Sequence, residues 1–521
     1  MPWSCKYIHI AIVERTMKTQ NYTKLILCMT FAAGVCICIP AGAVINLEQS
    51  DIPVEKLAVG TNHTIGVKAD GMVEAAGFND WGEGSVENGA NDFTDIVQVA
   101  TTFNHTVGLT SWGEVVAVGD DSRHQCDAWA LNDFYPHIQV AASYGMTIAV
   151  TEENLCVAQG TYLTSRGRVG VLNQSGTPTN GFTDIVQVSM SDFHTIGLKS
   201  TGEVVAVGYN DEGQCNVGTW NGNTTATNGF TDIVQVVAAR ANTVGLKSDG
   251  TVVATPITNP SYDYGQSDVG NWEDIVQIAA GAGTTIGLKS DGTCVATPIN
   301  DPGGDVDYGQ ADVENGANGF TDIVQIAARD WHTAGLKSNG EVVTAGDQYN
   351  VSDWDLSYTI KGYAKLRETG TDVSGTGING ATVILTPGPG VRPIPAQIQA
   401  VTTTVDGGAG PGYYEIKVAT GGDYEIITEY SGLSSIPYDF SIWHLTDTYE
   451  VNFYSIFGYV TRYGTGEGIN GVAVTVVEGP TVTNLATGDR DNNPVYPGFY
   501  EKHVGFAGGS TVVYTVEASN P

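Results

Sequence analysis

Asp184-Ile185-Val186-Gln187-Val188, then His194-Thr195-Ile196-Gly197-Leu198, then Thr201-Gly202 and Glu203-Val204-Val205-Ala206-Val207-Gly208: this stretch decides the architecture. The first run is almost continuously apolar, which suits a strand covered on both faces by its neighbours. Thr-Gly supplies a tight turn, and the third run is another strand. The middle phrase returns as His63-Thr64-Ile65-Gly66, His105-Thr106-Val107-Gly108, Met146-Thr147-Ile148-Ala149, Asn242-Thr243-Val244-Gly245, Thr284-Thr285-Ile286-Gly287 and His332-Thr333-Ala334-Gly335. Its fourth position falls at 66, 108, 149, 197, 245, 287 and 335, a period of 41–48 residues. That period, with several short strands in each unit, marks a propeller or solenoid. Asp70-Gly71, Asp249-Gly250, Asp291-Gly292 and Asn339-Gly340 provide the positive φ that hairpins need. No stretch shows a sustained helical period, so the class is all-β.

The seven copies resemble the repeats of the regulator of chromosome condensation (RCC1) family, most closely its exported bacterial members. Tyr209-Asn210-Asp211-Glu212-Gly213-Gln214 matches the family's N-x-x-G-Q segment, and Tyr264-Gly265-Gln266 and Tyr308-Gly309-Gln310 match it in part. The third unit departs most: it lacks the turn glycine after Glu153-Asn154 and the N-x-x-G-Q segment. The resemblance implies a seven-bladed β-propeller, expected over 44–356.

Working outward, Met17-Lys18 and Lys24 precede the apolar run Leu25–Pro40 and the small residues Ala41-Gly42-Ala43. This is the pattern of an extended n-region and signal peptide, expected over 1–43, and it places the chain outside the cell, secreted or at the cell surface. Beyond Trp354 the grammar changes. Gly377-Ile378-Asn379-Gly380 and Pro411-Gly412-Tyr413-Tyr414-Glu415 are echoed by Gly468-Ile469-Asn470-Gly471 and Pro497-Gly498-Phe499-Tyr500-Glu501. Two β-sandwich modules are expected, 357–455 and 456–521, resembling carboxypeptidase-regulatory-like (transthyretin-like) modules. The second stops before any equivalent of Tyr449–Tyr454, so it is expected to be short of its last strand.

The chain has 521 residues and a formal net charge of −34, which argues against a nucleic-acid phosphate binder. Cys126, Cys156, Cys215 and Cys294 follow the export segment; without C-x-x-C spacing they are expected to be buried free thiols. No H-E-x-x-H, Walker A or G-x-S-x-G signature occurs, and no enzyme, metal or cofactor is expected. His63, His105, His194 and His332 occupy one column in four units, so the ring separates them; each is expected to bond backbone at a blade edge. Asp305-x-Asp307 and Asp489-x-Asp491-x-Asn493 have calcium-like alternation but depart from the EF-hand loop and read as solvated acidic loops.

The residue or two before each His-Thr phrase carry Phe103, Tyr144, Phe193, Arg240 and Trp331. A propeller sets equivalent loops in a ring on one face, and aromatics and Arg are the anchors protein interfaces use. The expectation is an exported non-catalytic interaction protein whose propeller face grips another macromolecule, probed first as an extracellular protein, with the sandwich modules as spacers. The alternative is a carbohydrate-binding adhesin, with Trp81, Trp220 or Trp272 as stacking platforms, or a polysaccharide-active enzyme. Exchange on a small GTPase, the nuclear role of the resembled family, is not expected of an exported chain.

Overall fold

The computed structural model describes residues 55–133, 136–160, 182–220, 223–225, 228–300, 306–346 and 350–366, and beyond these a set of strands and turns between 376 and 519. The expected export signal, the middle of the third unit, Asp305 and Asp489–Asn493 lie outside them. Among the described residues there is a single short α-helix, Ala128–Asn132; nearly all the rest of the regular structure is strand.

Each sequence unit forms one antiparallel sheet in chain order. In the fourth unit the inner strand Ile185–Met190 pairs with the middle strand His194–Lys199, and this pairs with the outer strand Val204–Gly208. The same three-strand arrangement holds for the other six phrases, giving seven such sheets among the described residues, and the fourth adds Thr219–Trp220 in parallel at its outer edge. Gly202 has φ +78°, as the Thr-Gly turn requires. In the third unit Asn154 takes that place with φ +60°, so the missing glycine costs little: asparagine tolerates the left-handed region.

The apolar opening run has a local reason. The register slips between Ile185 and Gln187, a β-bulge at Val186, and six units share it. A bulge breaks the alternation of side chains and re-aims one of them. Here it turns the glutamine sideways into the next unit. Gln277 Nε2 donates to Ile326 O (3.3 Å) and Ile326 N donates to Gln277 Oε1 (2.8 Å). Gln139 clasps Val188 in the same way (3.1 and 2.7 Å), and Gln235 clasps Ile278 (3.3 and 2.8 Å). Gln325 reaches back to the first described strand, Leu57–Val59, accepting from Lys56 N (3.2 Å) and donating to Leu57 O (3.4 Å). Replacing Gln277 by leucine strands a buried N–H and a buried C=O, at about 1–3 kcal/mol for each group. Chemical denaturation of Gln277→Leu should show a loss of that order; an unchanged midpoint would exclude the clasp as a stabilising element.

The repeated phrase supplies a second ring of contacts, and here the expectation for histidine is corrected in part. The four histidines are fully buried rather than at an edge, and each meets a neighbour's threonine side chain, His105 bonding backbone at Met146 as well. His63 Nε2 lies 3.1 Å from Thr106 Oγ1, His105 Nε2 3.1 Å from Thr147 Oγ1, and His194 Nε2 2.8 Å from Thr243 Oγ1. Thr106, Thr147 and Thr243 each donate onward to a backbone carbonyl, of Glu83, Gln125 and Gln214, all at 2.8 Å. The hydroxyl proton is therefore committed, and the imidazole N–H is the donor to the threonine oxygen. His332 of the last unit meets Thr64 of the first (3.3 Å), so the ring closes.

Glycine in the phrase is a packing requirement. A Cβ on Gly197 would lie 2.9 Å from Phe182 Cε1 and Ile185 Cδ1; Gly245 faces Phe230, Gly287 faces Trp272, and Gly335 faces Phe320. The first unit has no aromatic ahead of it. Gly66 is covered instead by Trp354 and Leu356, 2.9 and 2.8 Å from where its Cβ would be, after the last unit's outer strand.

Past this closure, Tyr358–Leu366 pairs antiparallel with Tyr413–Val418 and parallel with Thr448–Tyr459. A second sheet joins Thr382–Pro387 to Ile398–Val401 and Gly422–Tyr430. Facing residues of the two, among them Ile360, Val383, Leu385, Tyr414, Val418, Tyr424 and Ile426, share one buried core. Thr448–Tyr459 runs on without a break to pair with Phe499–Ala507, so one strand serves both expected modules. Ala69 of the first unit joins the same core. Lys56, which stands where later units carry the clasping glutamine, donates through Nζ to Leu356 O (2.8 Å) and Ala419 O (3.4 Å) and lies 4.3 Å from the Tyr358 ring centre.

Candidate binding face

The link from inner to middle strand is a two-residue hairpin tip. Ser191 N donates to His194 O (3.0 Å), leaving Asp192-Phe193 at the tip; Thr102, Ala239 and Gly281 close the same turn (3.2, 3.0 and 2.9 Å). The seven tips are Thr61-Asn62, Phe103-Asn104, Tyr144-Gly145, Asp192-Phe193, Arg240-Ala241, Ala282-Gly283 and Asp330-Trp331. Equivalent tips of sheets arranged about one axis lie on one face.

The two tip positions do different things, and the five residues singled out in the sequence are divided between them. A cavity of about 160 Å³ runs among the inner strands, and Asp192, Arg240, Ala282 and Asp330, all first tip residues, line it. Arg240 is exposed at this mouth. Phe103 and Tyr144, also first tip residues, meet edge to face at 6.4 Å between centroids, with Phe103 41% exposed. Arg123 lies over the Tyr144 ring, 5.1 Å from its centre. Phe193 and Trp331 are second tip residues. Phe193 leans on Tyr209 (6.1 Å) and Trp331 on Tyr308 (5.6 Å), each half-buried against a loop that follows an outer strand. The five therefore form one aromatic pair, one cation at the mouth and two separate aromatic stacks.

Sequence reading passed over the charges that tie the mouth together. Arg329 Nη2 lies 3.1 Å from Asp192 Oδ1, joining the seventh unit to the fourth, and the same carboxylate oxygen accepts from Tyr144 N (3.4 Å). Asp330 Oδ2 accepts from Thr61 Oγ1 (2.5 Å), joining the seventh unit to the first. The signal was present in one column: the residue before each tip is Gly60, Thr102, Ser143, Ser191, Ala239, Gly281 or Arg329, six small residues and one long cation. Half-exposed, this ion pair is worth about 1 kcal/mol at most; its importance is positional.

The other expected groups are placed as follows. Trp272 is half-buried and packs against the core beneath Gly287. Trp81 is 58% exposed, and the side chain of Trp220 is outside the described residues. Asp307 Oδ1 accepts from Gly309 N (3.0 Å), a turn role. Cys156, Cys215 and Cys294 are buried free thiols, whereas Cys126 is half-buried; burial pushes the Cys126 and Cys294 thiols up to about 12.

Among solved structures, the chain is similar to Prp20p from Saccharomyces cerevisiae, at 15% identity and TM-score 0.42, over 73% of this chain and 96% of that one. It is also similar to the CRINKLY WD40 ectodomain of the receptor kinase ACR4 from Arabidopsis thaliana, at 13% identity and TM-score 0.41, over 58% and 96%. No curated protein matches the sequence. Residues 185–214, the inner strand through the N-x-x-G-Q segment of the fourth unit, match the regulator of chromosome condensation (RCC1) repeat.

Proposed function

We propose that this chain is an exported, non-catalytic binding protein: a signal segment (1–43), a seven-bladed propeller (44–356) that holds another macromolecule on the tip face, and two β-sandwich modules (357–455 and 456–521) that carry it. The observation that carries this reading is the edge-to-face pair Phe103–Tyr144, partly exposed on that face beside the Asp192/Arg240/Arg329 mouth. Interfaces use such anchors because an aromatic ring and a guanidinium offer large contact area with a polar handle at small entropic cost. An extracellular protein is the proposed partner class. A net charge of −34 favours a basic patch on it.

The test is a paired affinity capture. The mature chain and a Phe103→Ala/Tyr144→Ala/Arg240→Ala variant, both shown folded by circular dichroism, are exposed to proteins and glycans of the native surroundings. A protein held by the first and lost by the second supports the reading; truncating one anchor should cost about 2 kcal/mol, roughly thirtyfold in Kd. Equal capture by both removes the tip face from consideration. A bound glycan insensitive to the triple change but lost on Trp81→Ala would establish the carbohydrate reading instead.

A further inference from the structure

The loop after the outer strand follows one template in the first and fourth units, and the second unit fills it with different chemistry. In the fourth unit Asn210 Oδ1 accepts from Cys215 N (2.7 Å), and Asn210 Nδ2 donates to Asn216 Oδ1 (3.1 Å), which closes the loop. In the first unit Asn79 does the same, accepting from Gly84 N (2.8 Å) and donating to Ser85 Oγ (3.3 Å). The residue between is a left-handed glycine: Gly82 (φ +84°), Gly213 (+85°), and in later units Gly265 (+91°) and Gly309 (+83°).

In the second unit these three positions are Asp121, His124 and Asp127. The backbone is unchanged: Asp121 Oδ1 accepts from Cys126 N (2.9 Å), and His124 takes the glycine's place with φ +64°. The side-chain closure is not available, because two carboxylates have no proton to share where Asn–Asn or Asn–Ser had one. Instead the imidazole of His124 turns in, its Nδ1 3.0 Å from Asp127 Oδ2, and one ligand atom from each of the three residues lies within 4.8 Å of the others. Asp121 and His124 are exposed and Asp127 is half-buried.

We propose that Asp121, His124 and Asp127 form a surface site for a divalent transition metal, with zinc as the best-matched probe. Two carboxylate oxygens and one imidazole nitrogen make a mixed donor set suited to zinc, and an all-oxygen ion such as calcium gains nothing from the imidazole. Ligand atoms on one zinc lie about 3.4 Å apart, given bonds of about 2.0–2.1 Å, so small rotations close the triad. Three protein ligands on an open loop leave a fourth position to water or to a donor from a bound partner. The hydrogen bond from Cys126 N to Asp121 Oδ1 fixes the carboxylate in place as ligand-orienting hydrogen bonds do elsewhere. The sequence scan missed the site because the signal is a departure from a template that the repeats themselves define.

Zinc titration of the whole chain by calorimetry, with parallel thermal denaturation, tests the assignment. The chain is expected to bind one zinc through this triad, with a higher melting temperature in its presence and at least tenfold preference over calcium. His124→Gly restores the residue four other units carry, so it should fold at least as well without metal yet lose roughly tenfold or more in zinc affinity. Asp121→Asn/Asp127→Asn recreates the fourth unit's closure and should abolish the same binding event. Absence of zinc binding by the native chain, affinity unchanged in both variants, or equal affinity for calcium would each overturn the proposal.

Discussion

Replacing Trp354 with alanine is expected to lower the stability of the propeller by about 3–5 kcal/mol, the range for truncating a buried large aromatic. Trp354 is 9% exposed and packs in one cluster with Leu57, Val59, Ala334, Leu336 and Leu356, residues from both ends of the ring. It also covers Gly66, the one phrase glycine whose lid comes from about 290 residues downstream in sequence, the separation from Gly66 to Trp354. The equivalent lid of the fourth unit, Phe182, comes from the immediately preceding loop. Phe182→Ala should therefore cost a similar amount by cavity formation, while Trp354→Ala also loosens the seam. Hydrogen exchange separates the two. With Trp354→Ala, protection is expected to fall first in Leu57–Val59 and His332–Lys337, next to the seam; uniform loss around the ring would show that closure does not depend on this residue.

The second large effect is acid sensitivity. Burial, with the neighbouring His332, His105 and Arg329 adding repulsion, holds His63 down at about 3; burial first and Arg329 next hold His105 at about 3, and burial holds His332 at about 4. In the unfolded chain each titrates near 6.5. Below that pH the unfolded state takes protons that the folded state refuses, so stability is intact above about 6.5 and falls as pH drops toward 4. Each histidine contributes on the order of 2–3 kcal/mol of loss by pH 4.5. Glu55 opposes one of them: burial raises its carboxyl to about 7, so the folded state holds a proton that the unfolded state releases, and its contribution grows as pH falls from 7 to 4.5. The net expectation is a loss of several kcal/mol between pH 6.5 and 4.5, with a net uptake of protons on unfolding to which His137, also lowered by burial, adds. His105→Asn, the residue the fifth unit uses as Asn242, should flatten the acid limb by about one proton; an unchanged slope in urea titrations at stepped pH would show that the histidines are not the cause.

Lys56 acts on the alkaline side. Burial lowers its amine to about 7, against attraction from Asp355 and Asp70. From about 7 to 10.5 the folded state releases a proton the unfolded chain keeps, so stability rises through that window. Lys56→Met should remove this rise, which the same pH series detects.

Much of the scaffold was legible because repetition writes each requirement several times. One His-Thr-Ile-Gly phrase is weak; seven at one spacing identify strand, turn glycine and order in each sheet. Even the departures could be read against the repeat: Asn154 for a turn glycine works because asparagine accepts a positive φ. The glutamine of Asp-Ile-Val-Gln was legible as part of a strand but not as a clasp, since nothing local shows that a bulge rotates it toward a partner 42–49 residues away. The histidines were placed in the right column, but their threonine partners were not read, for the same reason. A hydroxyl from the next unit competes for the imidazole, and only stacking of the sheets brings it within 3.3 Å.

What the sequence by itself determined is the local periodic pattern: an all-β chain, seven equivalent units, the tips as a set, and the change of grammar after Trp354. These follow from side-chain period and turn stereochemistry, which act within a few residues along the chain. The tertiary structure decided what is not periodic. It split five candidate tip residues into a pair, a cation and two stacks, and it joined Asp192 to Arg329 across 137 positions. It closed the ring with Trp354 and Lys56, and it drew Asp121, His124 and Asp127 together. Each of these depends on distances between units, and no local pattern carries such a distance.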